Sequence, residues 1–166
     1  MFLYIKKIIS MVFLIQIVFP IEFAKHEIDN SPGGSFAIYA ADFNNDGNMD
    51  VASAGENMII IYANDGNNNF SPVWNFPDNV PRDVMAIDIN GDGYIDLLSA
   101  ASGSNFVRWF ENDGSGDFNF TAHDITSSAL GAFSVYAADM DGDGDMDVLS
   151  TSTGDNDLDW YENDGN

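Results

Sequence analysis

The sequence predicts an all-β chain of β-propeller blades, each made of four antiparallel strands. Three observations carry this: an acidic loop recurs three times, a second short marker keeps step with it, and apolar runs of strand length flank both. The first Asp of the loop recurs after 46 residues (Asp42 to Asp88) and then after 51 (Asp88 to Asp139). A period of about 20–50 residues signals a solenoid, propeller or array. Beyond residues 1–24 no helical periodicity competes.

The elements follow in order within each repeat. Apolar runs at 36–41, 84–87 and 133–138 precede the loop and carry the small residues Ala40, Ala86 and Ala137, which suit a crowded innermost strand. Second strands leave the loop at 49–54, 95–100 and 146–151. Third strands are read at 58–62, 106–110 and 158–161, where Ile59, Val107 and Leu158 alternate with Ile61, Trp109 and Trp160. Period-two alternation marks a half-buried strand. The second marker, Asn64-Asp65-Gly66, Asn112-Asp113-Gly114 and Asn163-Asp164-Gly165, lies 22, 24 and 24 residues after the first Asp of each loop. Asp-Gly tolerates the positive backbone angles of a tight hairpin. A fourth strand then runs over 69–76 and 117–125.

Three blades result, at about 36–76, 84–125 and 133–166, the last one strand short. Residues 23–28 (Phe23-Ala-Lys25-His26-Glu-Ile28) match 120–125 (Phe120-Thr-Ala-His123-Asp-Ile125), and so read as an orphan outer strand. Closed propellers have about four to eight blades. The expectation is an incomplete propeller, a fragment whose missing blades or domains lie in a longer chain; an oligomer that closes the ring is the alternative.

The loops carry the chemistry. They read Asp42-Phe-Asn44-Asn-Asp46-Gly47-Asn48-Met-Asp50, Asp88-Ile-Asn90-Gly-Asp92-Gly93-Tyr94-Ile-Asp96 and Asp139-Met-Asp141-Gly-Asp143-Gly144-Asp145-Met-Asp147. Oxygen side chains at positions 1, 3, 5 and 9, on a loop bent by glycine at position 6, can converge on a hard cation such as Ca2+, which takes about six to eight oxygens. Three calcium sites are expected. Plain acidic turns are the simpler reading, since Asp, Asn and Gly favour turns, but turns alone would not place an acid at position 9 in every copy. An EF-hand needs Glu at position 12, where these loops have Ser53, Ser99 and Ser150.

Composition narrows the partners. The 166 residues hold 27 acids against 5 bases, a formal net charge of -22, and 11 of the acids lie within the loops. Such a surface repels nucleic acid and anionic membranes. Lys6 and Lys7 ahead of an apolar run at 8–19, followed by Pro20, read as a secretory signal peptide over 1–24, with an uncleaved N-terminal anchor as the alternative. There is no cysteine, so an exported chain gains no disulfide and calcium could stabilise it instead.

With its acidic loops, its Trp-Tyr/Phe-Glu-Asn-Asp-Gly signature in two repeats and this spacing, the chain resembles the FG-GAP/VCBS repeat family, which builds integrin-alpha-like β-propellers. The likeness covers residues 23–166 and is nearer the secreted bacterial type, because literal Phe-Gly and Gly-Ala-Pro elements are absent. The resemblance implies that Asp42, Asn44, Asp46 and Asp50 hold one Ca2+, that Asp88, Asn90, Asp92 and Asp96 hold a second, and that Asp139, Asp141, Asp143 and Asp147 hold a third. The backbone carbonyls of Asn48, Tyr94 and Asp145 would complete the shells.

The expected function is a secreted or surface-attached calcium-binding scaffold for adhesion, docking an extracellular protein or glycan, with no nucleic acid partner and no membrane contact beyond the leader. Contact residues are sought at the end opposite the calcium loops, at 55–57, 77–82, 102–105, 126–132 and 154–157. The alternative is part of a secreted polysaccharide-degrading enzyme, a lyase or hydrolase. Against it, most clustered carboxylates are assigned to metal, and only Lys25, Arg82, Arg108, His26 and His123 supply cationic groups outside the leader.

Overall fold

A computed structural model describes residues 21–30 and 33–165; most of the expected leader, residues 1–20, lies outside them. The chain is all-β. Blade 1 comprises β1 (Ala37–Ala41), β2 (Asp50–Ala54), β3 (Met58–Asn64) and β4 (Phe70–Pro77). Blade 2 comprises β5 (Pro81–Ile87), β6 (Asp96–Ala101), β7 (Phe106–Asn112) and β8 (Phe120–Thr126). Blade 3 comprises β9 (Ala132–Ala138), β10 (Asp147–Ser152) and β11 (Leu158–Tyr161). Each sheet is an antiparallel meander in chain order, four-stranded in blades 1 and 2 and three-stranded in blade 3. Among the described residues no helix is long and apolar enough to cross a membrane.

Register repeats from blade to blade. One cross-strand row reads Ala40-Val51-Tyr62, then Ala86-Leu97-Phe110, then Ala137-Val148-Tyr161. Its neighbour reads Tyr39-Ala52-Ile61, then Met85-Leu98-Trp109, then Tyr136-Leu149-Trp160. Side chains alternate across a strand, so the two rows point to opposite faces. The second row of each blade meets the first row of the next. Ala52 and Ile61 pack with Ala86, Leu97 and Phe110 between blades 1 and 2. Leu98, Met85 and Trp109 pack with Ala137, Val148 and Tyr161 between blades 2 and 3.

The core therefore lies between blades rather than at a centre. Blade 2 is covered on both faces, and β6 is buried along its whole length. Innermost strands sit side by side, β5 between β1 and β9, which explains the alanine at the last or next-to-last position of each. At the outer rim of the first junction the aromatics interlock: Phe110 meets Trp74 at 5.4 Å and Phe76 at 4.9 Å between ring centroids, and Phe120 meets Trp74 at 5.2 Å.

Residues 23–28, which the sequence reads as an orphan outer strand, are exposed and form no strand pairing with the other described residues. The physical reason lies in where the following residues are held: the Tyr62 hydroxyl donates to Asp29 (2.9 Å) and the Glu56 amide to the Gly33 carbonyl (3.3 Å), both on blade 1. The open strand edge that would accept residues 23–28 belongs to β11, on blade 3.

Leu97 and Leu98 are fully buried on opposite faces of one strand. Each leucine truncated to alanine should cost about 2–5 kcal/mol, and the double variant about the sum, because the two side chains belong to separate buried clusters on opposite faces of the sheet. Urea denaturation of the two single variants and the pair checks this.

Candidate metal centre

Each acidic loop joins the first two strands of its blade, and its side chains fold back on its own backbone in one repeated pattern. The position 1 carboxylate accepts the amide of position 6: Gly47 to Asp42 at 2.8 Å, Gly93 to Asp88 at 2.9 Å, Gly144 to Asp139 at 3.2 Å. Position 3 accepts the amide of position 5 at 3.1 Å in all three loops, at Asn44, Asn90 and Asp141. Position 5 accepts the amide of position 7, at Asp46, Asp92 and Asp143, over 2.8–2.9 Å. Glycine at position 6 has φ of +89°, +91° and +106°, angles that an L side chain resists.

Position 9 behaves differently. Asp50, Asp96 and Asp147 are fully buried, and each carboxylate accepts two amides from separate segments. Asp50 takes Phe43 (3.1 Å) and Asn64 (2.8 Å); Asp96 takes Ile89 (3.1 Å) and Asn112 (2.8 Å); Asp147 takes Met140 (2.8 Å) and Asn163 (2.8 Å). The carboxylate thus ties the loop to the end of the third strand. The second marker is bound in turn. The amide side chains of Asn64, Asn112 and Asn163 donate to the position 8 carbonyls of Met49, Ile95 and Met146 at 3.1, 3.0 and 3.2 Å. The following glycine, Gly66, Gly114 or Gly165, lies under the side chain of position 7, so any Cβ there would collide with Asn48, Tyr94 or Asp145.

Sequence reasoning treated this asparagine only as part of a hairpin turn. It also stitches blades together: Asn112 Nδ2 donates to Phe43 O of blade 1 at 2.8 Å, and Asn163 Nδ2 to Ile89 O of blade 2 at 3.4 Å. Its recurrence in step with the loop was the available signal.

The loops differ at position 3. In the first two the Asn44 and Asn90 amides also donate to Asp46 and Asp92, both at 3.0 Å. Asp141 cannot donate. Among the described residues, one group of three carboxylates or imidazoles is placed to hold a metal ion: Asp139, Asp141 and Asp147, whose ligand oxygens lie within 4.8 Å of one another. Asp143 stands outside that group. The donor set suits a hard cation, being all oxygen, and a carboxylate has about four lone-pair sites, so accepting two amides leaves Asp147 able to ligate.

Burial raises the Asp50 and Asp96 carboxyls above the ordinary 3.8, against the opposing pull of their amide donors. At Asp147 the Asn163 and Met140 amides prevail and lower the carboxyl below 3.8. A raised carboxyl favours the protonated folded state, so metal-free loops 1 and 2 lose stability as pH rises through the window just above 3.8. Asp147 contributes stability that is present above 3.8 and lost as pH falls below it.

At the other end of the blades the loops are laced in series. The Val80 amide donates to Glu56 O (3.1 Å), Ser102 to Val80 O (3.0 Å), Gly131 to Asn105 Oδ1 (2.9 Å) and Thr153 to Gly131 O (3.1 Å). Arg108 clamps this end, reaching Asp78 at 2.8 Å and Asp124 at 2.7 Å while lying 3.7 Å from the Phe106 ring centroid. Arg82 donates to Ser102 and covers the Phe36 ring. His123 meets Glu111 at 2.8 Å and stacks on Trp109. These basic side chains are held by structural contacts.

A protein-family model described as an FG-GAP-like repeat matches residues 42–99 and again 88–150, so the chain belongs to the FG-GAP-like repeat family. A comparison with curated proteins gave no match. One similar solved structure is a lectin of Agrocybe aegerita, described for its specific recognition of non-reducing terminal N-acetylglucosamine, with 23% identity and a TM-score of 0.46. The alignment covers 68% of this chain and 32% of the lectin chain, so this chain spans about a third of that length.

Asn112→Ala should destabilise the protein by about 2–5 kcal/mol, because it leaves the Phe43 and Ile95 carbonyls unpaired at the junction. Asn64→Ala, which bonds the exposed Met49 carbonyl, should cost less than half of that by the same urea assay. In EDTA, carbon-detected NMR should find Asp50 and Asp96 titrating above 3.8 and Asp147 below it.

Proposed function

We propose that the protein is an exported, calcium-stabilised β-propeller scaffold that binds an extracellular protein or glycan and has no catalytic role of its own. The observation that carries this is the convergence of Asp139, Asp141 and Asp147 within a loop whose hydrogen-bond pattern the other two loops repeat. Like charges that close favour a bound cation or a held proton, and an all-oxygen set favours Ca2+ over softer metals. Position 9 makes the coupling structural: an ion on the loop would rest on the same carboxylate that fixes the loop to the third strand. Metal binding then becomes folding free energy, about 2.7 kcal/mol per independent site at a hundredfold excess over its dissociation constant.

Export is supported by the basic and apolar pattern of residues 6–19. It also fits the weak calcium sites that extracellular modules use. The ligand-binding end is assigned to the laced loops opposite the metal. Serial hydrogen bonding makes them a rigid platform, and rigidity lowers the entropic cost of binding. With Arg82, Arg108 and His123 engaged in structural contacts, a scaffold suits this end better than acid-base chemistry.

Circular dichroism melts in EDTA and in millimolar CaCl2 test the reading. Calcium should raise the melting temperature steeply; equal melting in the two buffers would sink it. Isothermal titration should find the third loop tightest, and Asp141→Asn should weaken it towards the affinity of the other two. An unchanged third site would remove the role given to that carboxylate.

A further inference from the structure

Asn90-Gly91 is the one asparagine-glycine pair in the 166 residues, and it falls at positions 3 and 4 of the second acidic loop. An asparagine ahead of glycine is open to attack by its own backbone, because no Cβ shields the amide nitrogen that follows. Here that nitrogen is accessible. Asn90 and Gly91 are both exposed, Gly91 has a φ of +73°, and a Cβ at Gly91 would meet no atom within 4 Å.

The loop also sets the reacting groups. Asn90 Oδ1 accepts the Asp92 amide at 3.1 Å, which folds the carboxamide forward over the Gly91 peptide and places a donor where negative charge develops on attack. The Gly91 amide donates to Asp88 Oδ1 at 2.8 Å, so a carboxylate stands at general-base distance from the proton that must leave. One contact opposes the reaction. Asn90 Nδ2 donates to Asp92 Oδ2 at 3.0 Å, and that bond is lost as the nitrogen departs.

The other two loops bracket this one. Asn44 makes the same two contacts with Asp46, at 3.1 and 3.0 Å, but is followed by Asn45, at a φ of +58°, and not by glycine. The third loop carries the acid already: Asp141 accepts the Asp143 amide at 3.1 Å, and the Gly142 amide donates to Asp139 at 2.6 Å. Aspartate followed by glycine therefore fits this turn.

We propose that Asn90 is a site of spontaneous covalent modification, at which the second loop passes from a carboxamide-bearing loop to the carboxylate loop that blade 3 carries from the outset. Gly91 N bonds to Asn90 Cγ, and its proton passes through Asp88 to solvent. The Cγ–Nδ2 bond breaks, and the nitrogen leaves as ammonia with a proton from water. Water then opens the cyclic imide, at Cγ to give aspartate or at the backbone carbonyl to give isoaspartate. The aspartate form loses the bond from Nδ2 to Asp92 and gains one negative charge; the isoaspartate form lengthens the backbone by a methylene and displaces the carboxylate from position 3. Under the calcium reading proposed above, the aspartate form would offer an ion the donor set of the third loop, whereas the modification itself rests only on residues 88–92.

The full chain, folded in EDTA at mildly alkaline pH so that the result does not turn on calcium, is sampled over weeks. Trypsin, cutting after Arg82 and Arg108, releases residues 83–108, which contain Asn90 and Asn105 and so carry their own control. Fragment masses should place the mass increase of deamidation at Asn90 in most of the peptide, while Asn105 and Asn44 keep their amides. Gly91→Asn copies the first loop and should preserve Asn90 with an unchanged far-UV spectrum. Asn45→Gly should make Asn44 convert at a rate near that of Asn90. An Asn90 that lasts as long as Asn105, conversion at the wild-type rate in Gly91→Asn, or conversion confined to a sample unfolded in urea overturns the proposal.

Discussion

The carboxylate at position 9 of each acidic loop is the contact on which the rest of this structure hangs. A buried carboxylate is expensive unless hydrogen-bonded, and Asp50, Asp96 and Asp147 offset that cost by accepting one amide from the loop and one from the end of the third strand. Those two segments are joined by no backbone ladder of their own. Without the carboxylate the loop and the hairpin turn would be joined only by the asparagine side chain that reaches the position 8 carbonyl and by the packing of position 7 on the turn glycine. With it they form one rigid corner, and the asparagine donating from that corner reaches the neighbouring blade.

Stability is consequently serial. Each blade presents one face backward and one forward, so a junction between blades is the smallest unit that buries a core. Blade 2, covered on both faces, can bury Leu97 and Leu98 side by side. Blades 1 and 3 each keep one bare face, and the large exposed residues Ile38, Tyr136, Leu158 and Trp160 belong to them. In such a stack stability is close to a sum of unit and junction terms. The Asn112 and Leu98 variants weigh different junctions for that reason.

Most of the fold was legible in the sequence because its signals are local and repeated. Strand boundaries fall within three residues of those read from the alternation, and the loop and hairpin positions follow from Asp-Gly chemistry. What could not be read has a common cause. The pairing of residues 23–28 depends on where the chain is anchored, and Asp29 and Tyr62 are 33 positions apart. The inter-blade role of Asn112 depends on Phe43, 69 residues away, and a single sequence gives no register between blades. The lacing of the loops at the opposite end runs largely through backbone amides, which carry no residue signature. Within the candidate site, positions 1, 3, 5 and 9 were visible as a set of oxygens, but not that position 9 alone is buried.

That difference within the set is what would let one loop both fold the chain and take up an ion. Positions 1, 3 and 5 are exposed or half-buried and satisfied by their own loop's amides, so exchanging those weak partners for a cation disturbs nothing beyond the loop. Position 9 accepts one amide on each carboxylate oxygen and keeps lone pairs for a ligand. A cation bound at the loop would therefore neutralise charge on its exposed side without loosening the clamp on its buried side. The energy it would add would pass through Asp50, Asp96 or Asp147 into the third strand, and from Asn112 and Asn163 into the blade before. For a chain of net charge -22, with 11 acids in three loops, relief of repulsion would fall at the corners that hold its blades together.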